Sequence, residues 1–193
     1  MPHTEHLGRL ATPRIWSSIA SYPAFGLPWA ADNDCFQRLD ATAYVRMLER
    51  IAEVDRSQFL FVTVPDRVAD AQTTMELWRE WWPTLDDLKL PAAFVAQDGQ
   101  PARHVPWNSM TALFIGGSTA YKLGPEAAAL IREAHRRGKW VHVGRLNTWP
   151  RLRYFEQLDI DSFDGTQFSR FPRRYIRPWL DRLNYKQAGM DVF

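Results

Sequence analysis

Short apolar runs recur along the chain, spaced so that one helix fits between each pair. Residues 29–31, 59–64, 92–96, 113–115 and 140–143 are apolar on almost every consecutive position, and a weaker run surrounds Ser162 and Phe163. A strand wetted on one face alternates apolar and polar residues. Runs without that alternation predict strands covered on both faces, which means a parallel sheet. Between the runs the apolar positions recur at helical spacing. Asp40 is placed to cap a helix carrying Val45, Leu48, Ile51 and Ala52 on one side. Asp70 can cap a second helix, whose Trp78, Trp81 and Trp82 form a packing stripe and which Pro83 is expected to end. Pro125 suits the first turn of a third helix, and Gly138 its end. A further helix is expected from about Asn147 or Pro150 to Leu158.

Strand and helix alternation predicts an α/β fold. The choice is between a doubly wound open sheet and a closed β/α barrel. No GxGxxG follows a strand and opens a helix, and no P-loop sequence occurs. A complete barrel has eight strands and usually needs roughly 200 residues or more. The chain has 193, and a weak first strand at residues 15–19 brings the candidates to seven. The expectation is a compact or incomplete β/α (TIM-type) barrel forming one domain over residues 1–193.

Composition adds modest constraints. Hydrophobic residues make up 46% of the chain, enough for a sizeable core, and aromatic residues 13%, with nine Trp. Such a chain suits stacking on nucleobases, although most of the rings must fill the core. The formal charge of +2 neither demands nor excludes nucleic acid. Basic residues are uneven, however. Arg136, Arg137 and Lys139 cluster, and Arg170, Arg173, Arg174, Arg177 and Arg182 crowd a basic segment at 170–193 that is either a solvated face or a phosphate-contacting one. A single cysteine, Cys35, excludes an intrachain disulfide and a cysteine-rich zinc site, and points to an intracellular protein. No stretch reaches the ~18 apolar residues of a membrane span, so no membrane partner is expected.

In barrels and open α/β sheets alike, chemistry gathers at the carboxyl ends of the strands. The run at 29–31 is followed by Asp32-Asn33-Asp34-Cys35-Phe36-Gln37, and that at 59–64 by Pro65-Asp66. After 92–96 comes Gln97-Asp98-Gly99, after 113–115 Gly116-Gly117-Ser118, after 140–143 Gly144-Arg145, and after Phe163 Asp164-Gly165. An Asp after a strand is often only a turn former or helix cap. Several converging groups are harder to explain that way. Two carboxylates can divide nucleophile and acid/base duties. An amide offers paired donor and acceptor groups to a flat heterocycle, a glycine pair lets backbone approach a ligand, and Phe36 offers a stacking face. Together they describe a pocket for a nucleobase with a carboxylate near its sugar. His142 is read as a packed strand residue and His104 and His135 as surface residues, while Lys122 and Arg145 follow strand ends where a phosphate could be met.

These segments, in this order, resemble the tRNA-guanine transglycosylase superfamily. Asp32 to Gln37 is similar to its Asp-Ser-Gly-Gly-(Tyr/Phe)-Gln, Gln97 to Gly99 to its Val-Gln-Gly-Gly, and Phe114 to Gly117 to its Ile-Gly-Gly-Leu. Ile160-Asp161-Ser162-Phe163-Asp164 is similar to its Ile-Asp-Met-Phe-Asp, and Gly144 lies upstream as in its Met-Gly-Val-Gly. Two features depart from the pattern. Asp34 and Cys35 stand where the family has two glycines, and its zinc-binding segment of three Cys and a His is absent. The zinc-free, shortened form looks most like the compact phage-type branch that inserts 7-deazaguanines such as preQ0 into DNA.

The resemblance implies that Asp164 attacks the sugar C1′ and that Asp32 is the general acid/base. It implies that Phe36 stacks on the base, and that Gln97 and the backbone of Gly116 and Gly117 contact its edge. Asp66 resembles a base-recognising Asp. It further implies a transferase with no metal or other cofactor, whose partners are DNA (or RNA) and a 7-deazaguanine. The location would be cytoplasmic, in the host cytoplasm if the chain is phage-encoded. The oligomeric state is left open, a homodimer being one option. Two alternatives use the same residues: a hydrolytic N-glycosylase, and a non-catalytic nucleic-acid-binding relative, which the altered Asp34-Cys35 loop motivates.

Overall fold

Seven strands pair in the order in which the chain makes them, and every pairing is parallel: β1 (Arg9–Ala11), β2 (Trp29–Ala31), β3 (Phe59–Thr63), β4 (Ala92–Ala96), β5 (Ala112–Ile115), β6 (Trp140–Val143) and β7 (Ser162–Phe163). A doubly wound sheet reverses its strand order at a switch point. This one never reverses, which is barrel topology. The computed structural model describes residues 9–23, 26–35, 38–166 and 171. Phe36 and the basic segment at 170–193, apart from Phe171, lie outside the described residues.

The sheet is curled. Strands in a sheet lie ~4.8 Å apart, so side chains on β3 and β6, three strands apart, would sit roughly 14 Å from each other if the sheet were flat. The ring centroids of Phe61 on β3 and His142 on β6 are 5.3 Å apart. The chain therefore forms an α/β, incomplete TIM-type barrel, and among the described residues β1 and β7 are not paired to each other.

Side chains alternate between two layers. Trp29, Phe94, Leu113, Ile115, Val141 and Val143 face outward into the large core beneath the helices. Ala30, Phe61, Ala93, Val95, Ala112 and Phe114 face inward and form a smaller core. One irregularity interrupts the scheme. Trp29 pairs with Phe59 but Ala31 pairs with Val62, so Leu60 and Phe61 together stand opposite Ala30, a bulge in β3.

The helices α1 (Ala41–Glu53), α2 (Ala71–Asp87), α3 (Thr119–Lys122), α4 (Pro125–Arg136) and α5 (Trp149–Glu156) cover the outer layer. Asp40 and Asp70 cap α1 and α2 through their carboxylates, accepting from the N–H groups of Ala43 and Thr73. The buried face of α1 is Tyr44, Met47, Leu48 and Ile51, rotated slightly from the expected Val45 and Ala52. Gly138 takes a left-handed φ of 63° after α4, as expected of a helix-terminating glycine.

Two expectations need correction. The first strand is Arg9–Ala11, and residues 15–19 belong to a 3-10 helix, Pro13–Ser21. Pro13 is pre-set for a first helical turn and has no N–H to give a strand ladder, and Ile19 is buried from that helix. Pro83 lies inside α2 instead of ending it. The helix carries on because Leu85, two residues further, is fully buried. It closes where Lys89 turns left-handed at φ 53° and the N–H groups of Lys89 and Leu90 return to the carbonyls of Asp86 and Leu85. No helix among the described residues is long and apolar enough to cross a membrane.

Candidate active site

Successive side chains on a strand point to opposite faces. Ala31, Ala96, Ile115, Val143 and Phe163 end or nearly end their strands facing the outer core. The next residue in each case, Asp32, Gln97, Gly116, Gly144 and Asp164, therefore turns inward at the mouth of the curled sheet. Thr63 joins them, because the bulge brings it beside Asp32. The sheet thus gathers Asp32, Gln97, Gly116 and Asp164 from segments spread over most of the sequence.

Asp164 is held on both oxygens. Oδ1 accepts from the backbone N–H of Arg145 at 3.0 Å, and Oδ2 lies 3.0 Å from His142 Nε2. Burial by itself pushes this carboxyl up. The hydrogen bond of His142, its charge whenever the ring is protonated, the Arg145 N–H and the nearby Lys122 ammonium outweigh it and hold Asp164 below the usual carboxylate range. Its side chain keeps 26% of its surface exposed. Gly144 leaves room for the Phe114 ring, which a Cβ there would meet at 2.6 Å.

Asp32 is the opposite case. Burial, then repulsion from Asp164, raises it to about 6, with Asp66 and Asp34 adding to the rise. Only Thr63 resists. Its Oγ1 accepts from the Asn33 N–H at 2.8 Å, so its own proton is directed to Asp32 Oδ1 at 3.0 Å. Two carboxylates in one site are pushed apart in acidity, one ionised and one able to hold a proton. That is the electrostatic signature of a divided nucleophile and acid/base pair.

Asp66 is braced beside them. Its Oδ1 accepts from Asn33 Nδ2 at 2.9 Å, its Oδ2 from Gln97 Nε2 at 2.6 Å, and the Cys35 thiol donates to its carbonyl at 3.0 Å. Burial raises its carboxyl despite these donors. Gln97 is itself buried, and its Oε1 accepts from the Ala69 N–H. In this arrangement Gln97 orients Asp66, and Asp66 is the more accessible of the two. Asp34 takes the left-handed φ of 52° and pairs with Arg14 Nε at 2.6 Å. An Asp tolerates that conformation better than most residues, so the loop keeps a turn suited to glycine.

Gly116 and Gly117 also have structural duties. A Cβ on Gly116 would lie 2.7 Å from Gln97 Nε2. Gly117 has φ 76°, and a Cβ there would collide with the Asp98 carboxylate, which the Ser118 N–H and hydroxyl hold in place at 2.7 and 2.5 Å. Gly117→Ala is expected to cost roughly 1–3 kcal/mol, read as a lower melting temperature in thermal denaturation. A variant as stable as the parent would show that the loop can relax.

Three participants were not singled out in the sequence: Thr63, Asn33 and the His142 contact to Asp164. His142 had a signal. It is the one polar residue in β6, and alternation with Val141 and Val143 turns it inward. A groove of about 370 Å³ lined by Gln72, Glu76, Arg79, Gln100 and His104 lies on the flank of α2 and includes none of the mouth residues. Among the described residues, no group of three or more His, Cys, Asp or Glu is placed to hold a metal ion.

No protein-family model matches the chain, and no curated protein matches it. Solved structures do. The PaMucR phosphodiesterase in complex with c-di-GMP is similar over 80% of this chain and 67% of that one, at 10% identity and a TM-score of 0.50. The HpcH/HpaI aldolase from Desulfitobacterium hafniense DCB-2 aligns over 99% of this chain and 95% of that one, at 11% identity and a TM-score of 0.45. At such identity a likeness speaks to fold alone, so function has to be argued from the site.

Proposed function

We propose that the chain is an enzyme, a base-exchange transglycosylase that replaces guanine in DNA with a 7-deazaguanine such as preQ0. One observation carries the reading: Asp164, kept ionised, and Asp32, able to hold a proton up to about pH 6, share one barrel mouth. In the first step a carboxylate oxygen of Asp164 attacks C1′ of the deoxyribose. The N-glycosidic bond breaks, the Asp32 proton goes to the departing guanine, and a glycosyl ester on Asp164 remains. The incoming 7-deazaguanine gives a proton back to Asp32 and attacks C1′, releasing Asp164. One N-glycosidic bond replaces another, so the exchange needs no cofactor.

The order of the motifs supports this superfamily over other carboxylate-pair chemistry. Asp66, braced by Asn33 and Gln97, suits recognition of a donor-rich base edge, with the backbone of Gly116 and Gly117 beside it. Among the superfamily's branches, the wording of residues 95–99 and 115–119 is most similar to the one that acts on DNA. The target base must leave the helix, so single-stranded or distorted DNA is the better substrate.

The test is incubation with guanine-containing DNA and labelled preQ0. Incorporation of label with an equal release of guanine is the expected result. Release without incorporation would make the chain a hydrolytic N-glycosylase. Binding with neither release nor a denaturation-resistant DNA adduct would make it a non-catalytic relative.

A further inference from the structure

Asp164 is the last acceptor in a line of donors that starts one layer deeper in the barrel. Trp140 Nε1–H donates to Ser162 Oγ at 2.7 Å. Ser162 Oγ lies 2.9 Å from His142 Nδ1, and His142 Nε2 lies 3.0 Å from Asp164 Oδ2. The direction of these bonds follows from what each group can do. An ionised carboxylate only accepts, so Nε2 carries a proton. Whenever the ring is neutral, Nδ1 then accepts and the Ser162 hydroxyl supplies the proton, because an indole N–H cannot accept from it. The ring is 5% exposed and lies against Phe114, with centroids 4.6 Å apart, and against Phe61 at 5.3 Å. It has no room to turn.

The same three residue types form the triad of serine hydrolases, but the layering here is inverted. His142 and Ser162 are paired in register on β6 and β7, and Asp164 stands beyond them at the mouth. In a hydrolytic triad the hydroxyl meets the substrate and the carboxylate stands behind. Here the carboxylate is in front, and the hydroxyl, capped by an indole, is the support.

We infer that His142 is a positioning residue for Asp164: locked by Trp140 and Ser162 as the Nε2–H tautomer, it fixes the rotation of the carboxylate at the barrel mouth. The inference rests on Asp164 being the reacting group. Donation from His142 favours the anion and leaves the carboxylate one orientation, in which Oδ1 meets the Arg145 N–H. The charged groups acting on Asp164 besides His142 are Lys122 from α3 and Asp32 after β2, while Arg145 meets it through its backbone N–H.

The test compares His142→Phe, His142→Gln and Ser162→Ala with the parent, after thermal melting has shown which variants fold. Two readouts need no substrate: the titration midpoint of the Asp164 carboxyl carbon, and the imidazole nitrogen shifts of His142. The parent ring is expected as the Nε2–H tautomer. His142→Phe should move the Asp164 midpoint up by roughly 1 on the pH scale, His142→Gln should restore most of it through its amide donor, and Ser162→Ala should mix the tautomers. Where exchange is present, His142→Phe should lower kcat roughly 100-fold with little change in KM. An unmoved Asp164 midpoint in folded His142→Phe overturns the inference. If that variant does not fold, unchanged His142 shifts in Ser162→Ala do the same. The exchange reading can fail separately, since both spectroscopic results stand without any turnover.

Discussion

Asp164→Asn is expected to abolish base exchange, with kcat down on the order of 10⁴-fold or more, in a protein that still folds. The amide is nearly isosteric, and its Oδ1 can still accept from the Arg145 N–H, but its Nδ2 then faces the Nε2–H of His142, so stability should fall by roughly 1–3 kcal/mol. What it lacks is the anionic oxygen that must form the ester with C1′. No covalent adduct should accumulate when the variant is quenched on DNA, and DNA binding should persist. Single-turnover exchange with labelled guanine is the measurement. Exchange within tenfold of the parent would remove Asp164 from the role of nucleophile and with it the mechanism proposed above.

Asp32→Asn should separate stability from activity. The Asp32 carboxyl titrates near 6 in the folded protein against 3.8 when free. Between those values the folded state binds the extra proton, so stability falls as pH rises through this window and is lowest above it. The span corresponds to about 3 kcal/mol. Asn at this position cannot ionise, yet its carbonyl still accepts from Thr63 Oγ1. The variant is expected to be more stable than the parent at pH 8 by about 1–3 kcal/mol, visible as a melting temperature several degrees higher, with the gain gone near pH 4. Activity moves the other way, down roughly 10²- to 10⁴-fold. The parent's kcat/KM should be flat below about pH 6 and decline above it as Asp32 loses its proton, and that limb should be missing in the variant. An Asp32→Asn protein no more stable at pH 8 than at pH 4, relative to the parent, would show that Asp32 is not held under electrostatic strain.

Much of this architecture is legible in the sequence. Six of the expected strands coincide with β2, β4, β6 and β7 or differ by a residue at β3 and β5, because a strand buried on both faces has to be apolar throughout. The capping roles of Asp40, Asp70 and Gly138 were legible for a local reason: each depends on neighbours within one helical turn. Pro83 misled, because its effect on a helix is local and the burial of Leu85 carries α2 past it; residues 15–19 misled because Ile19 packs into the core from a 3-10 helix and not from a strand. The mouth residues could be named from their places after the strands, but their partnerships could not. Whether Asp32 senses Asp164 depends on how tightly the sheet curls between β2 and β7, and no local pattern encodes that. His142 shows the same limit. Its inward direction follows from alternation, but its bond to Asp164 follows from the register of β6 on β7.

The bulge in β3 works like a frameshift written in backbone. Past Leu60 and Phe61, every residue of that strand is displaced one place against β2. Without it, the neighbour of Asp32 would be Val62, a side chain with nothing to donate, and Thr63 would lie elsewhere. The hydroxyl that tempers the acid, and the Asp66 in the loop after that strand, both reach the mouth because of one additional residue in a neighbouring strand. Deleting Leu60 would leave every residue named in the site intact and still uncouple the acid from its donor.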